Sequence, residues 1–328
     1  MTPPFKTIAI FGANGQMGKP VFEALVNSKE PVFKVVAFVS PGSNFNLFDY
    51  GEVNALIKRV DLMNVATDDL ATLLAHEKVD VVFSALGGEF LAKQSVVQDA
   101  AAKAGVRRFY PSEFGMHHVA WLPDGDVYLN PTWAFKMKCL EDALHHPSIY
   151  DGRMTYTVVG CADAYDAPGE PLLCPWIEKD ESRLKNRCVI HCVGNPDAKM
   201  DYSSRVDVAN FIVETLRHPE RSENQLFGFR SDLISFREVA HLLQRYSGKP
   251  VKLNVISVDE MKKIIEDPSS APEELQGDST FPIEFLMVLR YIQGQGLFRR
   301  PPGLLNNDLF PEVKTLSVKN YFKQLFAA

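Results

Sequence analysis

The stretch TIAIFGANGQMGK, residues 7–19, joins a short apolar run to three glycines in the spacing G-x-x-G-x-x-G. Between a strand and a helix, Gly12 permits a tight turn, Gly15 lets backbone approach a pyrophosphate, and Gly18 lets the helix pack closely on the strand. The first N–H groups of such a helix are unpaired and attract phosphate. The stretch therefore predicts a dinucleotide-binding turn. The other cofactor-binding residues predicted within it are Asn14, Gln16 and Met17.

Strand-like runs alternate with helical stretches through the first 110 residues. The helical spacing of apolar residues predicts helices over 16–28, 67–77 and 89–105, and a later one over 132–146. Strands that alternate with single helices imply right-handed crossovers and a parallel sheet covered on both faces. The predicted fold class is α/β, a Rossmann-type doubly wound parallel sheet with a smaller, partly interleaved C-terminal substrate region. The predicted domains are 1–160 for NAD(P) binding and 161–328 mainly for substrate, with some elements returning to the first sheet.

The composition of the chain is that of a globular protein. Hydrophobic residues make up 46% of the 328 residues, and the formal net charge of −6 argues against nucleic acid as a partner. No apolar run approaches the roughly 20 residues of a membrane span. The five cysteines form no CxxC pair, so no metal site is predicted, and their odd number suggests free thiols in a reducing compartment. The expected location is the cytoplasm.

The end of the second predicted strand bears on which dinucleotide binds. An acidic residue there would hold the ribose hydroxyls of NAD, but residues 35–44 read VVAFVSPGSN and contain none. Ser40, Ser43 and Asn44 are predicted to bind the 2′-phosphate of NADPH. The nearest basic residues are Lys58 and Arg59, on the third strand. NADPH is the predicted cofactor, and the alternative is an adenosine loop that is indifferent to the phosphate.

The usual catalytic pair of short-chain dehydrogenases is absent. In a Tyr-x-x-x-Lys pair the lysine lowers the pKa of the tyrosine, but none of the ten tyrosines here has lysine at the fourth following position. Another proton donor is therefore needed.

A more specific motif follows the fifth predicted strand. RRFYPSEFG, residues 107–115, resembles the PSEFG signature of the isoflavone reductase-like group, within the NmrA-like family of atypical short-chain dehydrogenases. The resemblance extends over nearly the whole chain, from the glycine turn through VDVVFSALGGEFLAKQ (79–94) to NNDLFPEVKTLSVKNYF (306–322).

The resemblance implies a catalytic lysine beside the nicotinamide, on the helix after PSEFG. The match is Lys136 in AFKMKCLEDAL, and Lys138 is the competing assignment. The two positions lie about 200° apart around a helix, so only one of them can face a cleft. A desolvated lysine there could donate or relay a proton as hydride reaches the substrate.

The same resemblance implies further cofactor contacts. Asp61 and Leu62 correspond to an acid and an aliphatic residue beside adenine, and Gly160 and Cys161 lie where the family has a Ser- or Asn-containing turn. The positions implied along the nicotinamide and its ribose are Ala85, Leu86, Gly87, Gln94, Ser112, Glu113 and Phe114.

The predicted substrate-binding residues are His117, His118, Trp133 and Tyr165. Aromatic and apolar side chains would suit a planar aromatic molecule, although each of them could equally pack in the core. A homodimer is compatible with the sequence, but no motif argues for one.

These features predict an NADPH-dependent reductase of a small aromatic or conjugated molecule in specialised metabolism. The electrophilic carbon would belong to an enone, a quinone methide or a benzylic ether. One alternative is a catalytically silent NmrA-like sensor that reports dinucleotide redox state to a protein partner. The other is an isomerase or dehydratase that keeps the nucleotide site, because a fold alone does not determine a reaction.

Overall fold

The structure is a computed structural model that describes residues 4–116, 131–170, 172–177, 188–276, 279 and 281–327. The chain divides into two compact units. The first comprises Met1–Phe114, Phe135–Gly160 and Val208–Phe227, and the second comprises Gly115–Ala134, Cys161–Asp207 and Gly228–Ala328. The predicted domain division at residue 160 remains a prediction.

The strands, in chain order, are β1 Thr7–Phe11, β2 Lys34–Val39, β3 Ala55–Arg59, β4 Val81–Ser84, β5 Arg108–Tyr110, β6 Thr155–Gly160, β7 Asp163–Ala164, β8 Cys188–Val193, β9 Met200–Ser203, β10 Gln225–Gly228, β11 Asp232–Ile234 and β12 Val251–Ile256.

The α-helices are α1 Gly18–Val26, α2 Thr67–His76, α3 Gln94–Lys103, α4 Pro131–Leu144, α5 Pro147–Tyr150, α6 Arg205–Arg217, α7 Pro219–Ser222, α8 Phe236–Ser247, α9 Val258–Glu266, α10 Ile283–Gly294 and α11 Val318–Leu325. Short 3₁₀ helices cover Phe48–Tyr50, Gly88–Lys93, Pro268–Ser270, Glu273–Leu275, Pro302–Leu304 and Asn307–Leu309.

The first unit is built on a seven-stranded sheet in the order β10-β6-β5-β4-β1-β2-β3. The pairs from β3 to β6 whose register is described are parallel. Strand β1 is buried along its whole length, because helices cover both faces of a doubly wound sheet. Chain order reverses between β1 and β4, and ligands of this fold bind outside the carboxyl ends of the strands at such a reversal. The predicted Rossmann-type fold is confirmed.

Two predicted helices end differently in the structure. The stretch predicted as one helix over 89–105 is a 3₁₀ turn, Gly88–Lys93, followed by α3. The helix predicted over 132–146 ends at Leu144, and a separate short helix begins at Pro147. Proline occupies the first helical position readily, and the His146 side chain accepts a hydrogen bond from the Ser148 N–H as its cap.

The second unit carries two small sheets, β11-β9-β7 and β12-β8. Helix α8 begins with a complete capping box between Ser235 and Glu238 and ends at Gly248 in the left-handed conformation. Its buried residues join one large apolar cluster with most of α10. The core of this unit therefore forms around helices rather than around an extended sheet.

Candidate dinucleotide site

The glycine turn has the close backbone packing that its spacing predicts. Gly12 has a φ of +81°, and a Cβ there would lie 2.5 Å from the Ala85 carbonyl oxygen at the end of β4. A Cβ on Gly18 would lie 2.0 Å from the Gly12 carbonyl oxygen. Only glycine fits at these two positions, so α1 starts directly against the ends of β1 and β4. The turn leaves its helix N-terminus free of side-chain caps, which fits a pyrophosphate.

Gly15 offers a test of this turn that spares the fold. A Cβ there would meet the Gly12 carbonyl oxygen at 3.0 Å, and this oxygen already accepts the Gly15 N–H at 2.8 Å. Gly15→Ala should shift the turn slightly and weaken dinucleotide binding about tenfold, since hydrogen bonds to a charged group contribute about 1.5–3 kcal/mol each. Calorimetric titration with NADPH and NADH measures this loss. Gly303→Ala, where a Cβ meets nothing within 4 Å, is the control, and equal affinities in the two variants would contradict the prediction.

The loop after β2 is attached to the glycine turn by side-chain hydrogen bonds. The Asn14 amide donates to Ser43 Oγ at 3.4 Å and to Asn44 Oδ1 at 3.3 Å. The Ser43 N–H donates to the Ser40 carbonyl at 3.0 Å, which closes a turn. The predicted 2′-phosphate residues Ser40, Ser43 and Asn44 thus lie together at the carboxyl edge of the sheet.

One of the two basic residues predicted near this loop is engaged elsewhere. Lys58 Nζ lies 2.7 Å from Glu77 Oε1, and Lys34 Nζ lies 2.8 Å from Glu77 Oε2. Hydrogen bonds from Lys34 and then from Lys58 lower the pKa of Glu77 to about 2, although burial acts in the opposite direction. Lys58 therefore neutralises a buried carboxylate.

A buried polar network holds the PSEFG turn against the end of β4. Ser112 Oγ donates to the Ser84 carbonyl at 2.9 Å and accepts the Leu86 N–H at 3.0 Å. The Gln94 side chain accepts the Ser112 N–H at 2.7 Å and donates to the Cys139 carbonyl of α4 at 3.1 Å. Gln94 thus fixes α4 relative to the motif. These bonds position neighbouring backbone, and the predicted cofactor contacts of Ser112 and Gln94 remain predictions.

Glu113 and Phe114 continue the same turn. Glu113 is fully buried, and its N–H donates to the Pro111 carbonyl at 2.9 Å. Phe114 has a φ of +51°, an uncommon value for an aromatic residue, and its ring packs 5.3 Å from that of Phe83. A non-glycine residue with such a positive φ persists only where the surrounding structure holds it in place. Residues of this kind cluster at functional sites.

The two lysines of α4 occupy different surroundings. Lys136 is half-buried and precedes the buried residues Leu140 and Ala143 by about one and two helical turns, so it lies on the same helix face. Lys138 is exposed on the opposite face and forms an ion pair with Asp142. The Asp142 hydrogen bond raises the pKa of Lys138. Of the two, Lys136 is the one on the buried face of α4, and its catalytic role remains a prediction.

The remaining predicted cofactor residues are distributed around this edge of the sheet. Asp61 accepts hydrogen bonds from the Met63 N–H and the Asn64 amide, so its carboxylate holds its own turn, and Leu62 is buried. Ala85 and Gly87 follow β4, where Gly87 is extended and exposed. Gly160 ends β6, and Cys161 is buried after it. Their cofactor roles, with those of Gln16 and Met17, remain predictions.

Two of the four predicted substrate residues, Trp133 and Tyr165, lie within the described structure, and both belong to the apolar cluster of the second unit. His117 and His118 lie outside the described residues. Trp133 is buried, with its ring 6.3 Å from that of Phe285. Tyr165 is completely buried, its hydroxyl donates to the Leu316 carbonyl, and burial raises its pKa. Tyr165 therefore lies in the core of the second unit, and its role in substrate binding remains a prediction.

The second unit has a small cavity lined mainly by apolar side chains, with His191 and Arg290 in its wall. Its volume is about 10 Å³, about the room that one water molecule needs and far below the roughly 300 Å³ at which small-molecule pockets begin. Burial lowers the pKa of His191 to about 4, so this histidine stays neutral at physiological pH. The cavity is therefore a poor candidate for an aromatic substrate.

Within the described ranges, no group of three or more His, Cys, Asp or Glu residues is arranged to hold a metal ion. The helices in that part of the chain are all too short or too polar to cross a membrane.

Comparisons with known proteins agree with the geometry. The profile of the NmrA-like family matches residues 4–281. Eugenol synthase 2 from Clarkia breweri is 27% identical over 336 residues, which cover 97% of this chain and 97% of that protein. The crystal structure of isoflavone reductase matches with a TM-score of 0.71 at 20% identity, over 98% of this chain and 99% of that one. The complex of leucoanthocyanidin reductase with NADPH from Vitis vinifera gives a TM-score of 0.72 at 17% identity, over 98% and 100% of the two chains.

The profile match spans most of the sequence and includes both the glycine turn and the PSEFG motif. The resemblance carried by these motifs is therefore confirmed, and the chain belongs to the NmrA-like family.

Proposed function

We propose that this protein is an NADPH-dependent reductase of a small aromatic or conjugated molecule in specialised metabolism. The observation that carries the proposal is the half-buried Lys136, on a helix that Gln94 fixes to the PSEFG turn. A silent nucleotide-binding protein needs the glycine turn but has no need of a lysine held in this way. The relatives support the reaction class, since two of those compared are named as reductases and one was solved with NADPH.

Different residues of the first unit would hold the cofactor and supply the proton in such a reaction. Gly12, Gly15 and the start of α1 would hold the pyrophosphate, and the backbone at Ala85 and Leu86 would pass along the nicotinamide ribose. When bound, NADPH supplies the hydride. Lys136 would provide or relay the proton that balances the hydride on the product, because an ammonium group on a half-buried helix face is partly desolvated.

The substrate class follows from what a hydride requires. The carbon that accepts the hydride must be electrophilic. Such a carbon occurs in an aromatic enone, in a quinone methide and at the benzylic position of an ether that opens during the reaction. The names of eugenol synthase, isoflavone reductase and leucoanthocyanidin reductase all refer to aromatic molecules. This shared chemistry supports an aromatic substrate here.

The test is hydride transfer from labelled cofactor. The protein is incubated with NADPH carrying deuterium at C4 and with one compound from each of the three classes, and the products are analysed by mass spectrometry. We expect one deuterium per product molecule and an equal amount of NADP⁺. Tighter binding of NADP⁺ than of NADPH, without turnover of any compound, would favour the sensor. A rearranged product without net loss of NADPH would favour the isomerase.

A further inference from the structure

Strand register places an arginine at the same edge of the sheet as the glycine turn. Phe11 is paired with Phe38 in β1 and β2, and Val39 is paired with Arg59 in β2 and β3. The Gly12 N–H donates to the Phe38 carbonyl at 3.3 Å. Gly12 and Arg59 therefore lie at the carboxyl ends of β1 and β3, on either side of β2. Two strand spacings separate them, which is a distance of about 10 Å.

The Arg59 guanidinium is fixed against the loop after β2. Nη1 donates to the Ser43 carbonyl at 2.6 Å, and Nη2 donates to the Phe45 carbonyl at 3.0 Å. These two bonds use two of the five N–H groups of the side chain, so three others remain for a ligand. The Asn14 amide bonds the Ser43 and Asn44 side chains of the same loop. The arginine and the glycine turn thus hold one loop from two sides.

Arg59 has no carboxylate partner within the described ranges, so its charge is uncompensated there. In the part of the chain that the structure describes, no carboxylate lies within ion-pair distance of this guanidinium, whereas the neighbouring Lys58 is paired with the buried Glu77. The loop itself, SPGSNFNLFDYGEVN from Ser40 to Asn54, contains no basic residue. An exposed, oriented and uncompensated guanidinium beside hydroxyl and amide groups suits a phosphate dianion, which arginine binds through two parallel hydrogen bonds.

We infer that Arg59 binds the 2′-phosphate on the adenosine ribose of NADPH and sets the preference of this protein for NADPH over NADH. The inference rests on the proposed function, because it assigns a residue to the cofactor proposed there. The positive charge beside the phosphate comes from Arg59 on β3, since the loop after β2 supplies only the uncharged side chains of Ser40, Ser43 and Asn44.

The experiment is calorimetric titration of NADPH and NADH into the wild type, Arg59→Gln, Arg59→Lys and the control Arg221→Gln. Arg221 is exposed in the first unit, so its replacement removes the same charge at another place. Loss of charge-assisted hydrogen bonds should weaken NADPH binding about 10- to 100-fold in Arg59→Gln, with NADH affinity within about twofold of the wild type. The NADPH affinity of Arg59→Lys should lie between those of the wild type and Arg59→Gln, because lysine keeps the charge but lacks the planar fork of arginine. Arg221→Gln should bind both as the wild type does.

Other outcomes overturn the inference in distinguishable ways. Equal weakening of NADPH and NADH in Arg59→Gln would show that Arg59 only supports the loop through Ser43 and Phe45. A wild type that binds NADH as tightly as NADPH, or an Arg59→Gln variant with unchanged NADPH affinity, would overturn the assignment and leave the reductase proposal standing. A wild type that binds neither dinucleotide would overturn the reductase proposal as well.

Discussion

Replacement of Lys136 by alanine is expected to lower kcat about 10²- to 10⁴-fold, the range that a positioned general acid contributes. NADPH affinity should stay within about threefold, because the proposed pyrophosphate and adenosine contacts are at the glycine turn and at the loop after β2, away from Lys136. The measurement is steady-state kinetics on whichever compound accepts deuteride from labelled NADPH, together with calorimetric binding of NADPH. A fall in kcat without a fall in affinity would show that Lys136 serves the chemical step.

Lys138→Ala is the matched control for this prediction, since it removes the same group two residues away. Lys138 is exposed and paired with Asp142, so its loss should leave kcat and NADPH affinity unchanged. Lys136→Arg should remain as impaired as the alanine variant, because arginine keeps the charge but does not release a proton. Equal activity of Lys136→Ala and wild type, or a larger loss in Lys138→Ala, would contradict the assignment.

The parts of the fold that depend on local sequence could be predicted from it. Glycines at positions 12 and 18 specify a turn because no larger residue fits there, and alternating strands and helices specify a parallel sheet. Helical geometry separated Lys136 from Lys138, but it could not tell which of them lay on the buried face. That choice depends on packing along the whole of α4, with Leu140 and Ala143 buried.

Contacts between distant segments could not be predicted. The Gln94 amide reaches Cys139, a residue 45 positions later, and the Arg59 guanidinium reaches a loop on the neighbouring strand. No local pattern marks either bond, because glutamine and arginine side chains are most often exposed to solvent and make no such contact. Tyr165 is a second case, because an aromatic residue read from sequence alone fits a pocket wall and a core equally well. Only its hydroxyl bond to Leu316 and its complete burial place it in the core.

Asp201→Ala is expected to destabilise the second unit by about 3–5 kcal/mol, the cost of leaving a buried charge without its partner. Asp201 and Arg300 are both completely buried, and Asp201 Oδ2 accepts the Arg300 N–H at 3.0 Å and lies 3.3 Å from its Nη1. Arg230 Nη1 donates to Oδ1 of the same carboxylate at 2.9 Å. Removing one carboxylate therefore leaves two guanidinium groups facing each other, and one of them has no access to water.

The midpoint of thermal unfolding, followed by circular dichroism, should fall by about 10 °C in Asp201→Ala. Asp197→Ala is the control, because Asp197 pairs with Arg237 at the surface, where ion pairs contribute little, and its midpoint should not change measurably. Arg300 Nη2 also donates to the carbonyl of Gly115, the last residue of the PSEFG motif, so the loss of Asp201 should also loosen that end of the motif. If both aspartate variants unfolded at the wild-type midpoint, the buried ion pair would not be what holds that end of the motif.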